Sequence, residues 1–171
     1  MSAPRHGGTP EFSRPLRAHE VGGTPRRLAL EADAGERAAL AARFGLLALD
    51  TLTASLEVRR EAAGIRVTGS VTARGAQPCV ASAEPVPFRI KERIALLLTD
   101  AAPDGGEIEL ASDDLDVEIL DGDVIDAGEI AAQAFALGLD PYPRLPGTVA
   151  GILSEDEAVQ ARSPFAVLKK G

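Results

Sequence analysis

The sequence predicts an α+β domain built on an antiparallel β-sheet, open or barrel-like, with a few helices packed against it. Three observations lead there. Apolar and polar residues alternate from Thr51 to Arg59 and again from Ile65 to Thr72, the period-two pattern of strands with one buried and one wet face. Helical patterns stand before and after the strands rather than between them, which disfavours a parallel doubly wound sheet. The 171 residues are 45% hydrophobic and 26% charged, which suits one domain with an ordinary core.

Residues 1–10 hold Ser, Pro, Gly and His without periodicity and read as a mobile tail. Glu11 to Arg17 fits an edge strand, anchored by Phe12, in which Pro15 removes one ladder donor. VGGTP, from Val21 to Pro25, is a turn-rich link to a short strand over Arg27 to Leu30. Asp33 and Glu36 form D-x-x-E ahead of Leu40, Ala41 and Phe44, with Gly45 beyond them, so a capped helix is expected. The two alternating strands are joined by RREAAG as a hairpin. Pro78 and Cys79 then break the pattern, and EPVP from Glu84 to Pro87 reads as a second turn.

A long strand from Val86 to about Leu98 puts Val86, Phe88, Ile90, Ile94, Leu96 and Leu98 on one face. Glu92 interrupts that row, which requires either a bulge or a carboxylate directed inward to a partner. Arg89, Lys91 and Arg93 face the other way. A loop at Ala101 to Gly106 precedes one or two short strands drawn from Ile108, Leu110, Leu115, Val117, Ile119 and Val124. Asp126, followed by Glu129, is placed to cap a helix whose stripe is Ile130, Ala131, Ala134, Phe135 and Leu137. Gly138 is expected to end it in the left-handed conformation, and Pro141 and Pro143 forbid continuation. Ser154 and Glu157 open a last helix, stopped at Ser163 and Pro164 and followed by a basic tail. The expected organisation is a tail at 1–10, one domain at 11–150, and a C-terminal helix with basic tail at 151–171.

Several chemistries lack their residues. Cys79 is the single cysteine, so neither an internal disulfide nor a Cys-only zinc site can form. His6 and His19 have no identifiable catalytic or metal-binding partners, and no motif makes Cys79 a nucleophile. The run SDDLDVEILDGDVID is acidic but out of register with the EF-hand template. The doublets Gly22-Gly23 and Gly105-Gly106 form no phosphate loop. No enzyme, cofactor or metal is expected. Neither a signal peptide nor an apolar run long enough to span a membrane is found, so a cytoplasmic protein without a membrane partner is expected.

Charge is segregated along the chain. From Ile94 to Pro143 there are 13 acidic residues and no Lys, Arg or His, while the other residues carry 18 basic and 13 acidic groups, a balance of +5. Fifteen of the 18 cations are Arg, the residue suited to bidentate phosphate contacts. Alternation can place several of Arg59, Arg60, Arg66, Arg74, Arg89, Lys91 and Arg93 on one wet sheet face, as candidates for RNA binding through phosphates. A salt-bridged sheet surface is the other reading of the same residues. With 4% aromatic residues and no Trp, base stacking is not supported.

The run EIAAQAFALGLDPYPRLPG, together with EFSRPLR, GSVTARGAQPCVASAEPVPFRI and SPFAVLKK, resembles the YceD-like family, the large ribosomal RNA subunit accumulation proteins. The resemblance covers nearly the whole chain after residue 10. It implies a non-enzymatic ribosome-biogenesis role supporting accumulation or processing of large-subunit ribosomal RNA, with that RNA or its precursor as partner. The matching positions are Cys79, Glu84, Pro85 and Val86, and later Asp140, Pro141, Tyr142, Pro143 and Arg144. Many relatives carry a C-x-x-C pair where this chain has Cys79 and Ser82, so any metal site of those relatives is absent here. The alternative is an acidic protein-binding module, in which the segment from Asp100 to Glu129, with 12 carboxylates, shields a basic large-subunit ribosomal protein.

Overall fold

The computed structural model describes residues 10–100 and 115–146. The expected tail before Pro10, the loop at 101–106, Ile108 and Leu110, and the C-terminal helix and basic tail at 151–171 lie outside the described residues. Within them the order is β1 (Pro15–Arg17), a 3-10 turn (Ala18–Glu20), β2 (Arg26–Glu31), α1 (Ala34–Phe44), β3 (Ala48–Glu61), β4 (Gly64–Pro78), β5 (Pro85–Thr99), β6 (Asp116–Ile119), β7 (Val124–Asp126) and α2 (Ala127–Leu137).

The alternation seen in the sequence becomes a five-stranded sheet of order β2-β3-β4-β5-β6, with β1 and β7 forming a separate two-stranded ribbon. The sheet is open rather than barrel-like, because β2 and β6 form its two ends and do not pair with each other. It is also not wholly antiparallel: β6 runs parallel to β5. The connection through residues 100–115 has the length of a dozen or more that a parallel crossover needs.

One sheet face is apolar and buried. Leu52, Leu56 and Val58 of β3 and Ile65, Val67 and Val71 of β4 are almost fully covered, as are Ile90, Ile94, Leu96 and Leu98 of β5. The register slips by one residue between Leu49 and Thr51, so Asp50 is an extra residue that keeps both Leu49 and Leu52 inward. Both helices pack on this face. Phe135 of α2, fully buried, contacts the rings of Phe44 and Phe88 at 5.8 and 5.9 Å between centroids.

The capping box of α1 forms as the sequence predicts. Asp33 accepts from the Glu36 amide at 2.8 Å, Glu36 accepts from the Asp33 amide at 2.9 Å, and Gly45 adopts the left-handed conformation. In α2, Asp126 accepts from the amides of Gly128 and Glu129 and also from Ser13 Oγ and the Arg14 amide, which ties the helix start to the chain before β1. Glu129 does not turn back to the cap. It forms a two-pronged contact with Arg43 of α1 at 2.8 and 2.9 Å.

Three local expectations are corrected. Leu137 is 86% exposed, and the buried face of α2 is Ala127, Gly128, Ala131, Ala132 and Phe135, because at 100° per residue position 137 turns away from 128, 131 and 135. Gly138 is right-handed, with φ −81°. It is needed for closeness, since a Cβ there would lie 2.7 Å from Ile90 and Glu92 of β5. EPVP begins β5 instead of forming a turn: the turn is Cys79 to Glu84, closed by Cys79 N–H to Glu84 O at 2.8 Å. Pro85 is tolerated as the first residue of a strand, where little ladder is lost.

Glu92 pairs with Val71 in unbroken register, so there is no bulge. Its half-buried carboxylate points toward the helix layer, beside the end of α2.

Candidate functional site

The seven candidate cations separate into three groups by strand parity and partner. Arg60 lies on the opposite parity from Arg59, donates to the carbonyls of Val21 and Ala18, and pins the link between β1 and β2. It is a structural residue and leaves the proposed face. Arg59 and Arg66 stand opposite each other on β3 and β4 and share Glu61, at 2.6 and 2.9 Å. Both are engaged by that carboxylate within the hairpin.

Arg74, Arg89, Lys91 and Arg93 form the third group. All four are exposed, and among the described residues no carboxylate lies within salt-bridge distance of them. Arg89, Lys91 and Arg93 follow one another at alternate positions of β5, about 6.8 Å apart along the strand. Arg74 of β4 is directly opposite Arg89, a like-charge pairing that costs stability in a sheet.

Beside this row the outer face is lined with hydroxyls. Thr72 pairs with Lys91 and Ser70 with Arg93, and Thr53 and Ser55 continue those rows onto β3. Above them is a shallow depression of about 340 Å³ bounded on the far side by Glu31 of β2. The face therefore changes from strongly cationic at Arg74 and along β5 to neutral and hydrogen-bonding along Ser70, Thr72, Thr53 and Ser55. These Thr and Ser positions were readable from the alternation, but only the sheet order shows that they adjoin the cations.

The two motif stretches meet at the end of the sheet. Gln77 Nε2 donates to the Asp140 carbonyl at 2.9 Å, and Val80 N–H donates to the Pro143 carbonyl at 2.9 Å. Asp140 also accepts from the Tyr142 amide at 2.9 Å, an Asx turn that sets the extended exit. Cys79 and Pro143 are buried between the stretches, Val86 is half-buried, and Glu84, Pro85, Asp140, Pro141, Tyr142 and Arg144 are exposed. Tyr142 is 72% exposed.

The Cys79 thiol is held by the Ser82 hydroxyl and by backbone amides of Leu145, Ala81 and Ser82, which lower its pKa to about 6. Donors aimed at sulfur favour the thiolate. Ser82 thus serves as a hydrogen-bond donor to the thiol. Among the described residues no three His, Cys, Asp or Glu side chains converge as metal ligands. His19 pairs through its ring and its amide with Asp123, far from Cys79 in the chain, and holds the Asp123 carboxyl below its usual range. His6 lies outside the described residues. No helix among the described residues is long and apolar enough to cross a membrane.

No family model, no curated protein and no solved structure matches this chain.

Proposed function

We propose that this chain is a non-enzymatic, cytoplasmic ribosome-biogenesis factor that binds large-subunit ribosomal RNA or its precursor through the outer face of its sheet. The observation that carries the binding is the exposed set Arg74, Arg89, Lys91 and Arg93, with two arginines directly opposed. Like charges on directly opposed residues repel, and a phosphate placed between them turns that repulsion into two charge-assisted contacts. The neighbouring Thr and Ser hydroxyls offer further donors to sugar and phosphate oxygens. No aromatic residue stands on this face in the paired registers, so recognition is by backbone and helical shape, with little sequence readout. The ribosomal assignment rests on the motif resemblance, two of whose four segments meet around Cys79 and Pro143.

Deleting the gene and measuring the ratio of large- to small-subunit ribosomal RNA tests this reading. The ratio should fall. An unchanged ratio at every growth temperature would refute it.

A further inference from the structure

On the helix side of the sheet, away from the arginine row, two adjoining depressions of about 110 and 210 Å³ run along α2 and share Glu118, Ile130 and Gln133. Leu96, Ile130 and Ala134 give them an apolar lining, and two large apolar side chains stand at their border: Val124 at 45% and Leu137 at 86% exposure. Glu92, Asp116 and Glu118 supply carboxylates, and among the described residues none of these three makes an ion pair. Arg93 also lines the smaller depression, but the parity of β5 sends its side chain to the opposite face.

Glu92 is the informative residue. It occupies an inward position in an otherwise apolar row, half-buried, beside the C-terminal end of α2. A carboxylate at that end of a helix meets a negative dipole, and the last turn of α2 carries no basic residue to offset it. The missing side chain of Gly138 brings the helix end close: a Cβ there would be 2.8 Å from Glu92 Oε1. A cation seated here would pair with the carboxylate and offset the negative end of the α2 dipole together.

We propose that this groove docks a short cationic amphipathic segment of a partner protein, with an Arg or Lys against Glu92 and apolar side chains between α2 and β6. Charge complementarity selects the occupant. The carboxylates repel nucleic acid and attract Lys and Arg, while the apolar lining and the exposed Leu137 suit a segment with one greasy face. The groove and the arginine row lie on opposite faces of the sheet, so both can be occupied at once. Either can fail without the other.

The test is selection of random peptides of about twelve residues, displayed on phage, against the full-length protein. Enriched peptides should carry net positive charge and spaced apolar residues. A labelled synthetic peptide of that set should lose affinity by roughly tenfold to a hundredfold on Glu92→Gln, the loss of one charge-assisted hydrogen bond, and comparably on Leu137→Lys. Arg89→Gln with Lys91→Gln should leave it unchanged. Amide shifts on peptide addition should centre on α2 and β6, a readout that stands even if Glu92→Gln lowers the melting temperature. Absence of enrichment, enrichment of acidic peptides, shifts centred elsewhere, or binding that survives both groove substitutions would overturn the proposal.

Discussion

Replacing Arg89, Lys91 and Arg93 together by Gln separates a phosphate-binding face from a salt-bridged one. All three side chains are exposed, and no salt bridge among the described residues involves them. Their loss should therefore move stability by no more than about 0.5 kcal/mol. The direction should be slightly upward, because Arg74 faces Arg89 and two charges about 7 Å apart in water repel by about 0.6 kcal/mol before salt screening. The melting temperature should rise by about 1–2 °C at most. Binding to helical ribosomal RNA should behave quite differently. Three phosphate contacts contribute about 0.7 to 0.9 each to the slope of log affinity against log salt, so the slope should flatten by about 2 to 3 and affinity at about 0.1 M salt should fall at least about a hundredfold. The two proteins should bind alike near 1 M. Fluorescence anisotropy of a labelled ribosomal RNA fragment over a salt series measures both quantities. A lowered melting temperature with an unchanged slope would refute the reasoning, since it would mean that these cations neutralise acids within the fold. An unchanged slope at unchanged stability would place the phosphates on another surface.

Four further outcomes are expected. Arg43→Ala removes the clamp between the helices, its contacts to Glu129 and Glu11 and its position 5.0 Å over the Phe44 ring, and should cost about 1–3 kcal/mol in urea unfolding. Gly128→Ala should destabilise by several kcal/mol although Ala is the better helix former by about 1 kcal/mol, because a Cβ there would fall 2.2 Å from the Phe12 carbonyl; an unchanged urea midpoint would contradict that close approach. Hydrogen bonds from Arg14, Arg43 and His19 hold the carboxyls of Glu36, Glu129 and Asp123 below their usual values. The folded state then binds fewer protons than the unfolded chain in acid, so this stability is full above about pH 4.5 and lost as pH falls through the folded values, which a melting series should show. Cys79, depressed to about 6, should give a thiolate absorbance midpoint near that pH. Against an unfolded value of about 8.5, its contribution to stability should grow from pH 6 to 8.5 and vanish below. A midpoint above 8 would contradict the hydrogen bonds from Ser82 and Leu145.

The sequence by itself determined the elements whose causes are local. Alternation from Thr51 to Thr72 fixes which side chains of β3 and β4 are wet, since a strand's two faces follow from its pleat. The D-x-x-E at Asp33 and the carboxylate at Asp126 fix where the helices start, because the donors they satisfy are two or three residues away. The common exposure of Arg89, Lys91 and Arg93 was legible for the same reason. Tertiary structure decided everything that depends on distances between remote segments. It assigned Glu61 to Arg59 and Arg66, and Arg60 to the carbonyls of Ala18 and Val21, leaving four of the seven candidate cations for an anion. It placed Arg74 opposite Arg89 and Pro143 beside Val80, and it joined Arg43 to Glu129 across 86 positions. It also made Gly138 a contact point with β5, a role no helix-ending rule contains. Periodicity specifies the direction in which a side chain leaves its own backbone. The partner it meets is set by how strands and helices pack, and that is a property of the whole chain.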